Sequence, residues 1–411
     1  MVSASLYIHI PFCAKKCDYC DFYSVPAPVW DERLMDGFVE RLREDIEGQV
    51  KTFGITEIGS VYIGGGTPSL LGARRMKDIL DFLTPILRGR RRETDDKSGK
   101  VKEFTVEVNP ESLSEDFLRV CVDGGVTRIS CGVQTFNADA RGAIGRCGGV
   151  SRIGPALDLI REIFGGAFSA DLISGLPFQD RAALFHDIET LLSYNPSHVS
   201  LYDLTLEENT PLYRNNVLEK MPPREPAENL WILGRDLLES RGYPQYEVSN
   251  FAPENSRSKH NIVYWRMGCW FGAGPSASGT IILDGAALDG VPSGVSSGAL
   301  RRTVSADVQT YVSGGKPEVF TEALDRNTLI KESFIMGFRY IDGPDEALFK
   351  QRFGCAIEDI VPETLRKWRG GGKMRGGVRA LNKDGLILLN RFLIDCFVEL
   401  DKFFSNERII F

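Results

Sequence analysis

Six short runs in the first half of the chain are apolar or alternate apolar with polar residues. They are SLYIHI from Ser5, SVYIGGG from Ser60, EFTVEV from Glu103, RISCGV from Arg128, FSADLISG from Phe168 and HVSLYDLTL from His198. Each is rich in β-branched or aromatic residues, and most end at Gly, Pro or Asn, as strands entering turns do. Between them the period lengthens to that of amphipathic helices, as in ERLMDGFVERLREDI over 32–46 and RMKDILDFLTPIL over 75–87. Strand–helix alternation predicts an α/β fold of parallel strands joined by crossover helices, six units forming a sheet that can curl into an incomplete barrel.

The pattern then changes. DGAALDGVPSGVSSGALRR, from Asp284, is Gly/Ser-rich and reads as a linker over 284–302. Beyond it TLIKESFIMGFRYI, over 328–341, is helical, and LNKDGLILLNRFLIDCFVELDKFF is a polar turn followed by an amphipathic helix. The expected organisation is therefore a core over 1–283 and a smaller, mainly helical C-terminal domain over 303–411. RGRRRETDDKSGK, from Arg88, reads as a solvated loop between a helix and a strand.

Composition narrows the class. The 411 residues are 43% hydrophobic and 26% charged, with apolar material for a large core. A net charge of −7 gives no reason to expect nucleic acid as a bulk partner. No apolar run is long enough to cross a bilayer, and MVSASLYIHIPFC has no basic segment leading into an apolar one, so no secretory signal is expected. The expected compartment is the cytoplasm, where thiols stay reduced. Nine cysteines are too sparse for a disulfide scaffold, and clustered cysteines there point to metal or redox chemistry.

Three of them fall in HIPFCAKKCDYCDFYS, at Cys13, Cys17 and Cys20. Four thiolates would saturate a zinc ion or an iron–sulfur cube; three leave one corner open for a small chelating molecule. The alternative is zinc with His9 as fourth ligand. Unusual residues also cluster at strand ends, the edge that carries ligands in α/β folds: Gly64 to Thr67, Glu107, Gln134, Asp171 and Asp203. A carboxylate at Glu107, inside a β-branched strand, must be paired, with a ligand hydroxyl or an internal Arg. Arg146, in AIGRC, can clamp a carboxylate. In KHNIVYW, His260 is either a hydrogen-bonded core residue or a metal ligand, and Tyr264 and Trp265 would suit a flat apolar wall.

The cysteine spacing, with Tyr19 before the third cysteine, resembles the radical S-adenosylmethionine (SAM) superfamily. The resemblance implies a partial (β/α)6 barrel with a 4Fe–4S cluster on the loop after the first strand and SAM on its open iron. It implies cofactor contacts at Tyr7, Tyr19, Gly65, Gly66, Thr67, Glu107, Gln134, Arg146, Asp171 and Thr205. Gly65, Gly66 and Thr67 would meet the methionine amino group, and Glu107 the ribose.

LYIHIPFC, GGGTPS, GVQTFN, DLISGLP and YEVSNFA together resemble the oxygen-independent coproporphyrinogen III oxidase group, over nearly the whole chain. Three features favour its haem chaperone branch over its decarboxylating dehydrogenase. Phe22 stands where the dehydrogenase has a further cysteine, only twelve residues precede Cys13, and KHNIVYW matches the chaperones' HNxxYW signature. The resemblance then implies haem at His260, delivery to apoproteins such as respiratory cytochromes, and members that can form homodimers. The chain departs from that branch at Cys147, where a His is usual, and at Pro275 and Ser276, where an Ala–His pair is common.

Overall fold

A computed structural model describes residues 2–88, 101–214, 221, 224–283, 298–313 and 318–407. The charged run over 89–100 and residues 284–297 of the expected linker lie outside the described residues.

All six expected strands form: β1 Val2–Ile10, β2 Ile55–Gly65, β3 Glu103–Val108, β4 Arg128–Gln134, β5 Ala167–Ser174 and β6 His198–Asp203. They pair in sequence order and in parallel. Each is followed by a long helix: α1 Glu32–Thr52, α2 Gly72–Arg88, α3 Glu115–Asp123, α4 Ile153–Ile163, α5 Arg181–Leu192 and α6 Arg224–Ser240. The result is a partial (β/α)6 barrel.

Side-chain alternation explains which way each strand faces. Leu6, Ile8 and Ile10 of β1, Val61 and Ile63 of β2, Phe104 and Val106 of β3, and Val199 and Leu201 of β6 join the buried core with the helices. The intervening residues face the lumen. They are polar or aromatic: Tyr7, Tyr62, Glu107, Ser130, Asp171, Ser200 and Tyr202. A polar lumen needs partners for its buried groups, and those partners build the site.

The sheet extends beyond the barrel on both sides. β7 Asn250–Phe251 pairs antiparallel with β6. β8 Trp270–Ala273 pairs in parallel with β1, and β9 Ser278–Leu283, β10 Gly298–Val304 and β11 Val319–Leu324 continue antiparallel from it. Residues 298–302 of the expected linker are thus strand. Within the expected helical region a short helix, Val308–Val312, precedes β11, and the longer helices begin at Arg326. A buried carboxylate pins this extension to the barrel. Asp45 of α1 accepts from Gln49 Nε2 at 3.0 Å, Arg302 Nη2 at 3.0 Å, Tyr311 OH at 3.0 Å and the Gly274 amide at 3.3 Å.

Helix α7, Lys259–Trp265, sits between β7 and β8 in the chain and packs against the N-terminal ends of the barrel strands. The C-terminal region has its own core. It joins α8 Arg326–Gly337, α9 Pro362–Gly370 and α10 Leu389–Glu407 around Phe392, whose ring lies 4.6 Å from Phe338 and 5.1 Å from Trp368. Among the described residues, no helix is long and apolar enough to cross a membrane.

Candidate functional site

The loop after β1 is held from several sides. Phe12 and Cys13 pair with Val25 and Pro26. The Trp30 indole donates to the Cys13 carbonyl at 3.0 Å, Asp18 N to the Ile144 carbonyl at 2.9 Å, and Leu212 N to the Asp18 carbonyl at 2.7 Å. Cys13, Cys17 and Cys20 are free, half-buried thiols, whereas Cys121, Cys131 and Cys396 are buried in apolar surroundings. All three loop cysteines open into a cavity of about 370 Å³ at the C-terminal ends of the strands.

Twelve of the fourteen residues singled out from the sequence line that cavity: Cys13, Cys17, Cys20, Tyr19, Gly65, Gly66, Thr67, Glu107, Gln134, Arg146, Asp171 and Thr205. The glycine segment follows the floor of the cysteine loop, with Gly66 N on the Ile10 carbonyl at 2.7 Å and Thr67 N on the Phe12 carbonyl at 2.8 Å. Two of its positions demand glycine. Gly65 has φ +104°, and a Cβ there would come within 2.6 Å of the His9 ring; a Cβ on Gly66 would lie 2.7 Å from the Phe12 carbonyl oxygen.

Two carboxyls face inward without a guanidinium directly on them. Glu107 accepts from Tyr62 OH at 2.6 Å and from the Gly65 amide at 3.2 Å. Burial pushes it up to about 7, against the pull of the Tyr62 hydroxyl. Burial likewise pushes Asp171 up to about 6, opposed by its bond with Ser200 and by Arg146. Arg146 spans the opposite wall. Its Nη2 donates to Asn109 Oδ1 at 2.7 Å and the Gly132 carbonyl at 2.8 Å, and its Nη1 reaches Cys17 Sγ at 3.8 Å. Asn109 in turn donates to Thr67 Oγ1 at 2.9 Å, which lies 3.6 Å from Cys13 Sγ.

Three free thiols on one loop match in number the thiolates of a cubane with one open iron. Among the described residues, no group of three or more His, Cys, Asp or Glu side chains is placed to share a single metal. A cubane instead asks each thiolate to reach its own iron. The zinc alternative fails at His9. Its Nε2 donates to the Tyr23 carbonyl at 2.8 Å, and its Nδ1 accepts the Tyr7 hydroxyl at 2.9 Å. Burial also lowers its pKa, so the ring is neutral and both nitrogens are used. The Arg146 guanidinium and the inward carboxyls are the complement that a zwitterionic amino acid joined to a nucleoside requires.

Two expected residues stand apart. Tyr7 lies behind the cavity wall, bonded to His9. His260 lies at the far end of the barrel, 1% exposed. Its Nδ1 is 2.8 Å from Ser60 Oγ and its Nε2 is 2.8 Å from Tyr264 OH. Burial lowers its pKa to about 3, so it is a neutral imidazole. As placed, both nitrogens are engaged and neither faces open space, so haem ligation by His260 stays an expectation. The core-residue alternative describes it better. The lone motif could not reveal that α7 returns to the barrel floor.

The sequence reading missed Asn109, Tyr62 and Tyr202. Tyr202 is 43% exposed and lines the cavity. Its signal was available, because it shares the period-2 phase of Ser200 on β6. Asn109 ends the EFTVEVN run and had the same strand-end signal as Glu107.

The family model for the radical SAM superfamily matches residues 7–191. The heme chaperone HemW of Bacillus subtilis is 31% identical, covering 88% of this chain and 90% of that protein. A mitochondrial protein of Danio rerio, radical S-adenosyl methionine domain-containing protein 1, is also 31% identical, covering 99% of this chain and 90% of its own. Among solved structures, coproporphyrinogen III oxidase HemN of Escherichia coli superposes with a TM-score of 0.75 at 20% identity, over 96% of this chain and 90% of that one.

Proposed function

The chain belongs to the radical SAM superfamily, in its HemN-like group, and from that premise we propose that it is a haem chaperone carrying a 4Fe–4S cluster and SAM. One observation carries the cofactor half of this reading: three free thiols on one braced loop open into the cavity where Gly65, Glu107, Gln134, Arg146 and Asp171 meet. Cys13, Cys17 and Cys20 would hold three irons of the cluster. Gly65, Gly66 and Thr67 would meet the amino group of SAM, Arg146 its carboxylate, and Glu107 its ribose. When bound, the cluster supplies the electron that cleaves the sulfonium. The chain's own part is to orient the nucleoside between Glu107 and Asp171 and to keep the thiols off one another.

The haem half rests on likeness to relatives named heme chaperone HemW and on Phe22. This side chain stands where the dehydrogenase branch has a cysteine. It is 63% exposed at the mouth of the cavity, so it adds apolar surface and no ligand. Axial ligation by His260 would first require Nε2 to leave Tyr264, so haem capture at this helix implies a rearrangement of the barrel floor. Delivery to haem-accepting apoproteins, in a compartment that keeps the loop thiols reduced, completes the reading.

The test is anaerobic reconstitution followed by parallel titrations with haem and with coproporphyrinogen III. The expected result is stoichiometric haem binding, seen as a shifted Soret band, with the second compound recovered unchanged. Formation of protoporphyrinogen would instead assign the chain to oxidative decarboxylation.

A further inference from the structure

Glu107 is unusually well fixed for a cavity carboxylate. Tyr62 OH donates to Oε1 at 2.6 Å and the Gly65 amide to Oε2 at 3.2 Å, so each oxygen has one donor and retains acceptor capacity. The carboxylate lies against β2, where a Cβ on Gly64 would come within 2.8 Å of both Glu107 Oε2 and Tyr62 Cε1. Tyr62 does not line the cavity. It stands behind Glu107 and is itself held between two rings, Tyr7 at 6.2 Å and His260 at 5.2 Å, each tilted by about the same angle. His260 cannot drift, because Ser60 holds one nitrogen and Tyr264 the other.

We propose that Tyr62 is a positioning residue for Glu107 in nucleoside binding, and that His260, from the barrel floor, is the prop that holds Tyr62 in place. The proposal rests on the reading that SAM occupies the cavity. It gives the signature histidine a task that its placement allows, at the opposite end of the lumen from the cluster loop.

Two consequences separate positioning from mere packing. A carboxylate accepts two ribose hydroxyls better than a carboxylic acid does, so affinity falls as pH drops through the Glu107 transition. The groups facing Glu107 are Tyr7 of β1, Tyr62 of β2, Asp171 of β5, Tyr202 of β6 and Tyr264 of α7. None is a cation, so the Tyr62 hydroxyl and the Gly65 amide are what favour the ionised form. Removing the hydroxyl shifts the transition to higher pH. Second, Tyr62 and His260 act in series, so their substitutions are not additive.

The probe is S-adenosylhomocysteine, titrated by calorimetry into the anaerobically reconstituted full chain across a pH series. Tyr62→Phe keeps the ring and is expected to retain the cluster spectrum and melting temperature. It should weaken binding about tenfold, the loss of one hydrogen bond to a charged acceptor, and move the pH midpoint upward. His260→Ala should weaken binding less, and Tyr62→Phe/His260→Ala no more than Tyr62→Phe alone. Unchanged affinity and pH midpoint in Tyr62→Phe would overturn the proposal, and strictly additive losses would remove His260 from it. Glu107→Gln is the control for the underlying reading. If Glu107→Gln binds like wild type, the cavity does not hold the nucleoside this way; if Glu107→Gln fails while Tyr62→Phe does not, only the positioning role is lost.

Discussion

Cys17→Ala, purified and reconstituted without oxygen, is expected to lose the 4Fe–4S absorbance entirely and with it all measurable binding of S-adenosylhomocysteine. Each loop thiolate would serve a separate iron, so losing one leaves two protein ligands for four metals. The remaining cysteines are poor substitutes. Cys121, Cys131 and Cys396 are buried, and burial raises their thiols, which disfavours the thiolate a metal needs. Cys147 is half-buried and near enough to Cys17 for their charges to interact, so it is the candidate for rescue beside the loop. Cys147→Ala is therefore the paired experiment, and it should keep the full spectrum. The fold should survive both changes, because backbone hydrogen bonds and Trp30, not sulfur, brace the loop. A Cys17→Ala protein with an intact cluster, or a Cys147→Ala protein without one, would show that the ligand set is wrong.

How much of this could be read beforehand depended on whether the deciding contacts were local. Alternation within β1 to β6 was local, and so were the residues that end those strands. The loop cysteines, the glycine segment, Glu107 and Asp171 were therefore legible as one edge once the strands were taken as parallel. Glu107 was visible as an acid in a β-branched run, but its partner Tyr62 lies 45 positions away. Tyr62 and Tyr202 carried the lumen phase of their strands and were passed over because aromatic residues in strands pack well anywhere. His260 was legible as part of a motif but not as a place in the barrel. KHNIVYW states a helix with a histidine and two aromatic residues, but which end of the barrel that helix meets is set by pairings more than 150 positions apart. The strand Gly298–Val304 was passed over for a simpler reason: a Gly/Ser-rich stretch runs into it.

Those distant pairings make Glu103 the most consequential buried charge in the barrel. Its side chain, at the first position of β3, is 5% exposed. It accepts from Arg128 Nε at 3.2 Å, from Ser258 Oγ at 3.1 Å, and from the first amides of α7, Lys259 N at 3.1 Å and His260 N at 2.9 Å. One carboxylate thus neutralises a buried guanidinium and meets the positive end of a helix. Arg128 has other acceptors, Ser169 Oγ at 2.8 Å and the Ser256 carbonyl at 2.9 Å, but neither carries charge. Glu103→Ala leaves that cation uncompensated and the α7 amides unpaired, at an expected cost of about 3–5 kcal/mol, read from urea denaturation. Glu103→Gln retains the shape and an acceptor and should cost less, about 1–3 kcal/mol. Glu103→Ala/Arg128→Met should recover part of the loss, because the stranded charge, not the missing contact, is the larger penalty. A Glu103→Ala protein within about 0.5 kcal/mol of wild type would mean that this pair does not hold the floor. If the floor is held this way, loosening it must also reach the opposite end of the lumen: α7 carries His260, His260 backs Tyr62, and Tyr62 fixes Glu107. Glu103→Ala should then bind S-adenosylhomocysteine more weakly than wild type even at temperatures where it is fully folded, although no atom of Glu103 lines the cavity.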